Sequence, residues 1–213
     1  MKKNLACWIL SAILLSVCVA PAVPLESHAG VKGFPDVRGH WAERDIVELS
    51  ERGVISGMPD GNFHPNENIT FPQFVAIVIR DRYGDIKPAD GNWASGYIQK
   101  ALELDIILPD EAASTGALNR YSAVKIINSA LTNIYNEEPE LDVYSIVKEL
   151  TDYPSCKSCR GPFDDEIGQC MAKGIITGRP GPMFDGEAML TRAEASVILL
   201  RAFDPSYRVT REN

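Results

Sequence analysis

The sequence repeats itself, and an internal repeat constrains architecture before any single motif is read. From Gly53 onward, a shift of 121 residues sets Gly53-Val54-Ile55-Ser56-Gly57 on Gly174-Ile175-Ile176-Thr177-Gly178, without a gap. The same shift sets Pro59 on Pro180, Phe63 on Phe184, and Ile69-Thr70 on Leu190-Thr191. A shift of 52 sets Trp41-Ala42 and Ile46 on Trp93-Ala94 and Ile98, and a shift of 49 sets Ile69 on Leu118 and Ala76 on Lys125. A middle copy therefore exists, three residues shorter in its loop, without the Pro-Asp-Gly turn, and with Asp105-Ile106-Ile107 where the outer copies have Gly-Val-Ile or Gly-Ile-Ile. The expected organisation is copy 1 over 30–84, copy 2 over 85–135, an insertion over 136–161, copy 3 over 162–204 with a degenerate first half, and a tail over 205–213.

Each copy reads as helix, loop, helix. Ala42, Ile46 and Leu49 recur at four and three residues, as do Ala94, Ile98 and Ala101, which gives each first helix one apolar face ending near a glycine or Asp105. Pro59-Asp60-Gly61-Asn62 is a turn, with proline fixing one dihedral and glycine supplying a positive one. The second helix opens on a cap: Thr70 with Gln73 and Thr191 with Glu194 form capping boxes, Asn119 is a good cap, and Pro72 sits where a missing N–H does no harm. The runs 74–79, 124–131 and 195–200 are apolar enough for central helices. Units this small rarely close a core alone, so three copies are expected to pack together as one all-α domain.

Lys2 and Lys3 precede an apolar run from Leu5 to Ala20, the pattern of a secretory signal peptide over 1–29 with cleavage after Ser27-His28-Ala29. An uncleaved anchor is the rival, against which the run is shorter than the ~20 residues a spanning helix needs. Val17 is too bulky to favour a lipoprotein site at Cys18. Removing the segment leaves 19 Lys+Arg against 28 Asp+Glu, a net charge of about −9. That field excludes bulk electrostatic binding to nucleic acid, so an anionic partner must be gripped by a few placed cations.

Phe34-Pro35-Asp36-Val37, His40-Trp41-Ala42, Gly53-Val54-Ile55-Ser56-Gly57, Pro59-Asp60-Gly61-Asn62-Phe63 and Leu190-Thr191-Arg192-Ala193-Glu194 together resemble the S-layer homology repeat, in that family's order and spacing. The resemblance covers most of residues 32–204. It implies a pseudo-threefold trimer of helix-loop-helix repeats around a central helical bundle, with grooves between neighbours. It also implies a secreted, non-enzymatic wall anchor that binds secondary cell-wall polysaccharide, commonly a pyruvylated aminosugar, and that can carry another surface protein as cargo. No cofactor, metal or nucleic acid enters this expectation, and no membrane after signal cleavage.

In the family the arginine of the Thr-Arg-Ala-Glu motif contacts ligand, which points to Arg192 and to Arg120 at the equivalent place in copy 2. A cation at the first helical position opposes the helix dipole, and a bound carboxylate held by the guanidinium and nearby free N–H groups would offset it. A salt bridge to a neighbouring copy's aspartate is the other reading. Copy 1 has Phe71 there, which disables the groove that depends on it. Trp41 and Trp93 could stack on sugar faces or serve as packing anchors. Copy 3 has Pro162-Phe163 in that place. Asp36 and Asp60 could orient sugar hydroxyls, although a cap or turn wants an aspartate at each.

The insertion contains Cys156-Lys157-Ser158-Cys159, a possible disulfide, and a short helix expected over 143–150. Cys170 aligns with Leu49 and reads as a small buried hydrophobe. No fourth ligand lies near for zinc, and the βαβ setting of thiol–disulfide enzymes is missing. The competing function is an envelope interaction or structural component that keeps the fold without sugar binding. An enzyme ranks third, since no Ser-His-Asp set, glycosidase carboxylate pair or nucleotide loop is recognisable.

Overall fold

The computed structural model describes residues 33–152 and 163–210. The expected signal peptide and the expected Cys156–Cys159 disulfide lie outside these residues. Among the described residues seven α-helices follow in order: α1 Glu43–Glu51, α2 Phe71–Tyr83, α3 Ser95–Glu103, α4 Arg120–Asn133, α5 Tyr144–Val147, α6 Asp164–Ala172 and α7 Arg192–Phe203. Among the described residues no β-strand forms, and backbone pairing outside the helices is limited to isolated bridges. The fold class is all-α.

The first helices α1, α3 and α6 end alike. In copy 1, Gly53 takes φ 72° and the Val54 N–H reaches back to the Leu49 carbonyl at 2.9 Å. In copy 3, Gly174 takes φ 68° and Ile175 donates to Cys170 at 2.9 Å. Asp105 does the same at φ 53°, with Ile106 donating to Ala101 at 2.8 Å. Aspartate is one of the few residues that tolerate this left-handed geometry, so the middle copy keeps the helix stop without a glycine.

The second helices α2, α4 and α7 form the centre, each touching the other two. They start as the sequence requires. Gln73 Oε1 accepts from the Thr70 N–H at 3.0 Å, Asn119 Oδ1 from Ser122 at 2.9 Å, and Thr191 Oγ1 from Glu194 at 3.1 Å. Each first helix packs on the second helix of the preceding copy: α3 on α2, α6 on α4, and α1 on α7. The last contact joins the beginning of the repeat array to its end, so the order is cyclic.

Backbone bonds follow the same cycle. The Ile69 N–H donates to Leu190, Leu190 to Leu118, and Leu118 to Ile69, each at 2.9 Å. These three equivalent side chains are buried. The first N–H of each second helix continues the cycle: Phe71 donates to Gly116 at 2.9 Å, Arg120 to Ala188 at 3.1 Å, and Arg192 to Glu67 at 2.8 Å. Tyr121 and Ala193 add a second bond each, to Gly186 and Pro65. Their equivalent in copy 1 is Pro72, which has no N–H to give.

The described part of the insertion, 136–152, carries α5. Its helix is shorter than the 143–150 expected, because the chain turns after Val147 and the Thr151 N–H donates to Pro182 at 2.7 Å. Cys170 is fully buried on α6 and burial pushes its thiol pKa up, which fits a small hydrophobe. Among the described residues no helix is long and apolar enough to cross a membrane.

Candidate functional site

Two clefts occupy equivalent places in the cycle. The copy 1 cleft, about 400 Å³, is walled by the loop 55–59 and by Gln73, Ile77 and Arg80 of α2. The copy 3 cleft, about 220 Å³, is walled by the loop 176–180 and by Glu194, Ile198 and Arg201 of α7. Each draws residues from both neighbours. Trp93 of copy 2 with Arg192 and Ser196 of copy 3 border the first, and Trp41 of copy 1 and Arg120 of copy 2 border the second.

Both arginines are nearly buried, at 6% exposure for Arg192 and 4% for Arg120. Arg192 Nε donates to the Phe63 carbonyl at 2.7 Å and Nη2 to Ser56 at 3.3 Å. Arg120 repeats this on Phe184 at 2.9 Å and Thr177 at 3.1 Å. The guanidinium carbons lie 4.4 and 4.9 Å from the Phe63 and Phe184 ring centroids. Burial lowers the pKa of both below the ordinary guanidinium value. The aspartate partner considered from sequence is replaced by loop carbonyls of the next copy. The first N–H groups of α4 and α7, expected to be free for a ligand, are used by the backbone cycle. What remains for a ligand is the Nη1 edge, which has no hydrogen-bond partner among the described residues.

Trp41 and Trp93 are exposed, at 65% and 50%, so neither is the packing anchor that a helix-start tryptophan suggests. Ala42 and Ala94 take the buried places beside them, which leaves each indole on a cleft rim. Asp36 is structural: its carboxylate accepts from the Phe63 N–H at 2.9 Å and from His64 at 2.7 Å. Asp60 closes its own turn, accepting from the Asn62 N–H at 3.0 Å and contacting His64 Nε2 at 2.7 Å. Neither aspartate is among the residues lining the copy 1 cleft.

By the same cycle, the copy 2 cleft would take its tryptophan position from copy 3 and its arginine from copy 1. Those positions hold Pro162-Phe163 and Phe71. Both departures are in the copies that flank copy 2 in the sequence of repeats. Lys125, equivalent to the cleft-lining Ala76 and Val197, is engaged with Glu111 at 2.7 Å.

Some residues of the site are not singled out by the sequence reading. Arg80 and Arg201 are related by the same shift of 121 residues and were detectable as a repeated cation. Asp152, inside the expected insertion, accepts from the Phe184 N–H at 2.9 Å and from Asp185 at 2.7 Å, repeating the geometry of Asp36 in copy 3.

The family model of the S-layer homology domain matches residues 33–75 and 161–196. The chain is 29% identical over 210 residues to the S-layer protein EA1 of Bacillus anthracis, covering 92% of this chain and 23% of that protein. It is 25% identical over 190 residues to an amylopullulanase of Thermoanaerobacterium thermosulfurigenes, covering 82% of this chain and 10% of that protein. It is 30% identical over 137 residues to a cellulosome-anchoring protein of Acetivibrio thermocellus, covering 57% of this chain and 29% of that protein. The chain spans less than a third of the length of each of these relatives. The family model falls on copies 1 and 3, where the cleft-forming loops recur, so this chain carries two regions that match the S-layer homology domain.

Proposed function

We propose that this chain is a non-enzymatic anchor of the cell envelope, held on the wall by secondary cell-wall polysaccharide bound in the clefts of copies 1 and 3. The observation that carries the reading is the pairing, in both clefts, of an exposed indole with the one open edge of a buried arginine. An indole offers a flat apolar face for a sugar ring, and a guanidinium edge takes a carboxylate by charge-assisted hydrogen bonds. A pyruvylated aminosugar carries both. Relatives named as S-layer and cellulosome-anchoring proteins support a surface role. Cargo, secretion and the repeats' pseudo-threefold assembly belong to the same proposal.

The test is co-sedimentation with wall sacculi before and after chemical removal of the secondary polymer. The informative variant is Trp41→Ala/Trp93→Ala, because both indoles are exposed and their loss spares the core. Binding that disappears with the polymer and with both indoles is the expected result. A folded parent chain that stays in the supernatant favours the interaction-component reading.

A further inference from the structure

The two clefts differ at two equivalent positions. On the loop, Met58 of copy 1 stands where copy 3 has Arg179, and on the inner helix Gln73 stands where copy 3 has Glu194. In copy 3 the two are joined: Arg179 Nη1 donates to Glu194 Oε1 at 3.0 Å, tying loop to helix. Arg179 Nε also lies 3.4 Å from Asp185 Oδ2. Copy 1 has no charges at these places to make such a tie, and its cleft is the roomier, about 400 against 220 Å³.

Resting on the wall-polymer reading, we infer that the Arg179–Glu194 pair is a specificity latch, which makes the copy 1 cleft the tighter site for an acidic sugar and the copy 3 cleft the weaker. A carboxylate entering the copy 3 cleft meets Glu194, a like charge, and competes with it for Arg179 and Arg120. The same carboxylate in the copy 1 cleft meets Arg192 beside the neutral Gln73. The pair is partly exposed, with side chains at 33% and 21%, so the expected penalty is roughly two- to fivefold in affinity.

Glu194 also serves its helix, with Oε2 accepting from the Thr191 N–H at 3.0 Å. Gln73 Oε1 does the same for Thr70 at 3.0 Å, so an amide caps as a carboxylate does. Glu194→Gln therefore removes the latch and keeps the cap.

The tryptophans make each cleft readable by itself. Trp93 borders the copy 1 cleft and Trp41 the copy 3 cleft, and Trp8 completes the chain's three tryptophans. The full chain carrying 5-fluorotryptophan, its signals assigned by Trp8→Phe, Trp41→Phe and Trp93→Phe, is titrated by 19F NMR with a pyruvylated N-acetylated aminosugar glycoside. The Trp93 signal is expected to reach its midpoint at roughly two- to fivefold lower concentration than the Trp41 signal. Glu194→Gln is expected to bring the Trp41 midpoint down to that of Trp93, and Arg179→Met, which leaves Glu194 unopposed, to move it up. Coincident midpoints in the parent chain, or a Trp41 midpoint that ignores Glu194→Gln, overturn the latch and leave the wall-polymer reading standing. No shift at either Trp41 or Trp93 sinks both.

Discussion

Arg192 Nε donates to the Phe63 carbonyl at 2.7 Å while its guanidinium carbon lies 4.4 Å from the ring of the same residue, so one side chain of copy 3 clamps the loop of copy 1 from two directions. The clamp changes what an arginine variant measures. Arg192→Ala leaves the carbonyls of Phe63 and Ser56 without their donors as well as removing a charge from the cleft. The expected cost is about 2–4 kcal/mol in urea unfolding. Arg192→Lys should recover less than half, since an ammonium lacks the planar fork. An unchanged midpoint for Arg192→Ala would mean that water replaces the clamp without cost.

Asp36 and Asp152 each accept two consecutive loop N–H groups, with matching distances of 2.9 and 2.7 Å. Asp152→Ala and Asp36→Ala should therefore cost similar stability, about 1–3 kcal/mol each by chemical denaturation. An Asp152→Ala variant as stable as its parent would remove Asp152 from the frame of copy 3.

The repeat and its periods made the six main helices legible, because an apolar face at helical spacing and a capping box such as Thr191 with Glu194 are local signals. Which copy touches which was not legible. Arg192 and Ser56 are 136 residues apart in the chain, and nothing in either segment names the other. Asp152 carries no mark in the sequence, because the insertion breaks the register of the repeat just where an equivalent of Asp36 would fall. Trp41 and Trp93 were visible as candidates, but exposure depends on the neighbouring copy and has no local mark. Phe71 is a departure visible in the sequence, because the equivalent positions hold Arg120 and Arg192.

The tail binds the array together. Arg208 reaches both carboxylate oxygens of Glu137, Lys173 Nζ lies 3.3 Å from Glu137, and Val209 donates to Gly174 at 3.0 Å. Arg52, which caps the end of α1, pairs with Asp204 at 2.9 Å, and Arg44 and Arg52 lie 5.3 and 5.7 Å from the Tyr207 ring centroid. A Cβ on Gly174 would lie 2.1 Å from the Val209 carbonyl, so any side chain there must push the tail away. Arg208→Ala is expected to cost about 1–3 kcal/mol, and Gly174→Ala to destabilise the chain, both read by urea unfolding. Parent-like midpoints for both would show that the tail is only laid on the surface.

Stability should fall at both ends of the pH range, for opposite reasons. Burial raises the Asp36 pKa, but the N–H bonds from Phe63 and His64 outweigh it and hold the carboxyl below its ordinary value. The Asn62 N–H and then His64 lower Asp60, while the Ser206 hydroxyl and then Arg52 hold Asp204 near 2. Groups with depressed folded pKa contribute fully above the ordinary carboxylate value of 3.8, and that contribution is lost as pH falls through the folded values. His64 behaves in reverse. Its hydrogen bond to Asp60 raises its pKa above 6.5, so its contribution is complete below 6.5 and is lost as pH rises through the raised value. Thermal midpoints measured in small pH steps should therefore hold between those limits and drop on either side, with the alkaline drop the smaller because His64 and Asp60 face solvent and salt screens them. Asp36→Asn should shrink the acid limb and His64→Gln should remove the alkaline one. An alkaline limb that survives His64→Gln would have to come from another group.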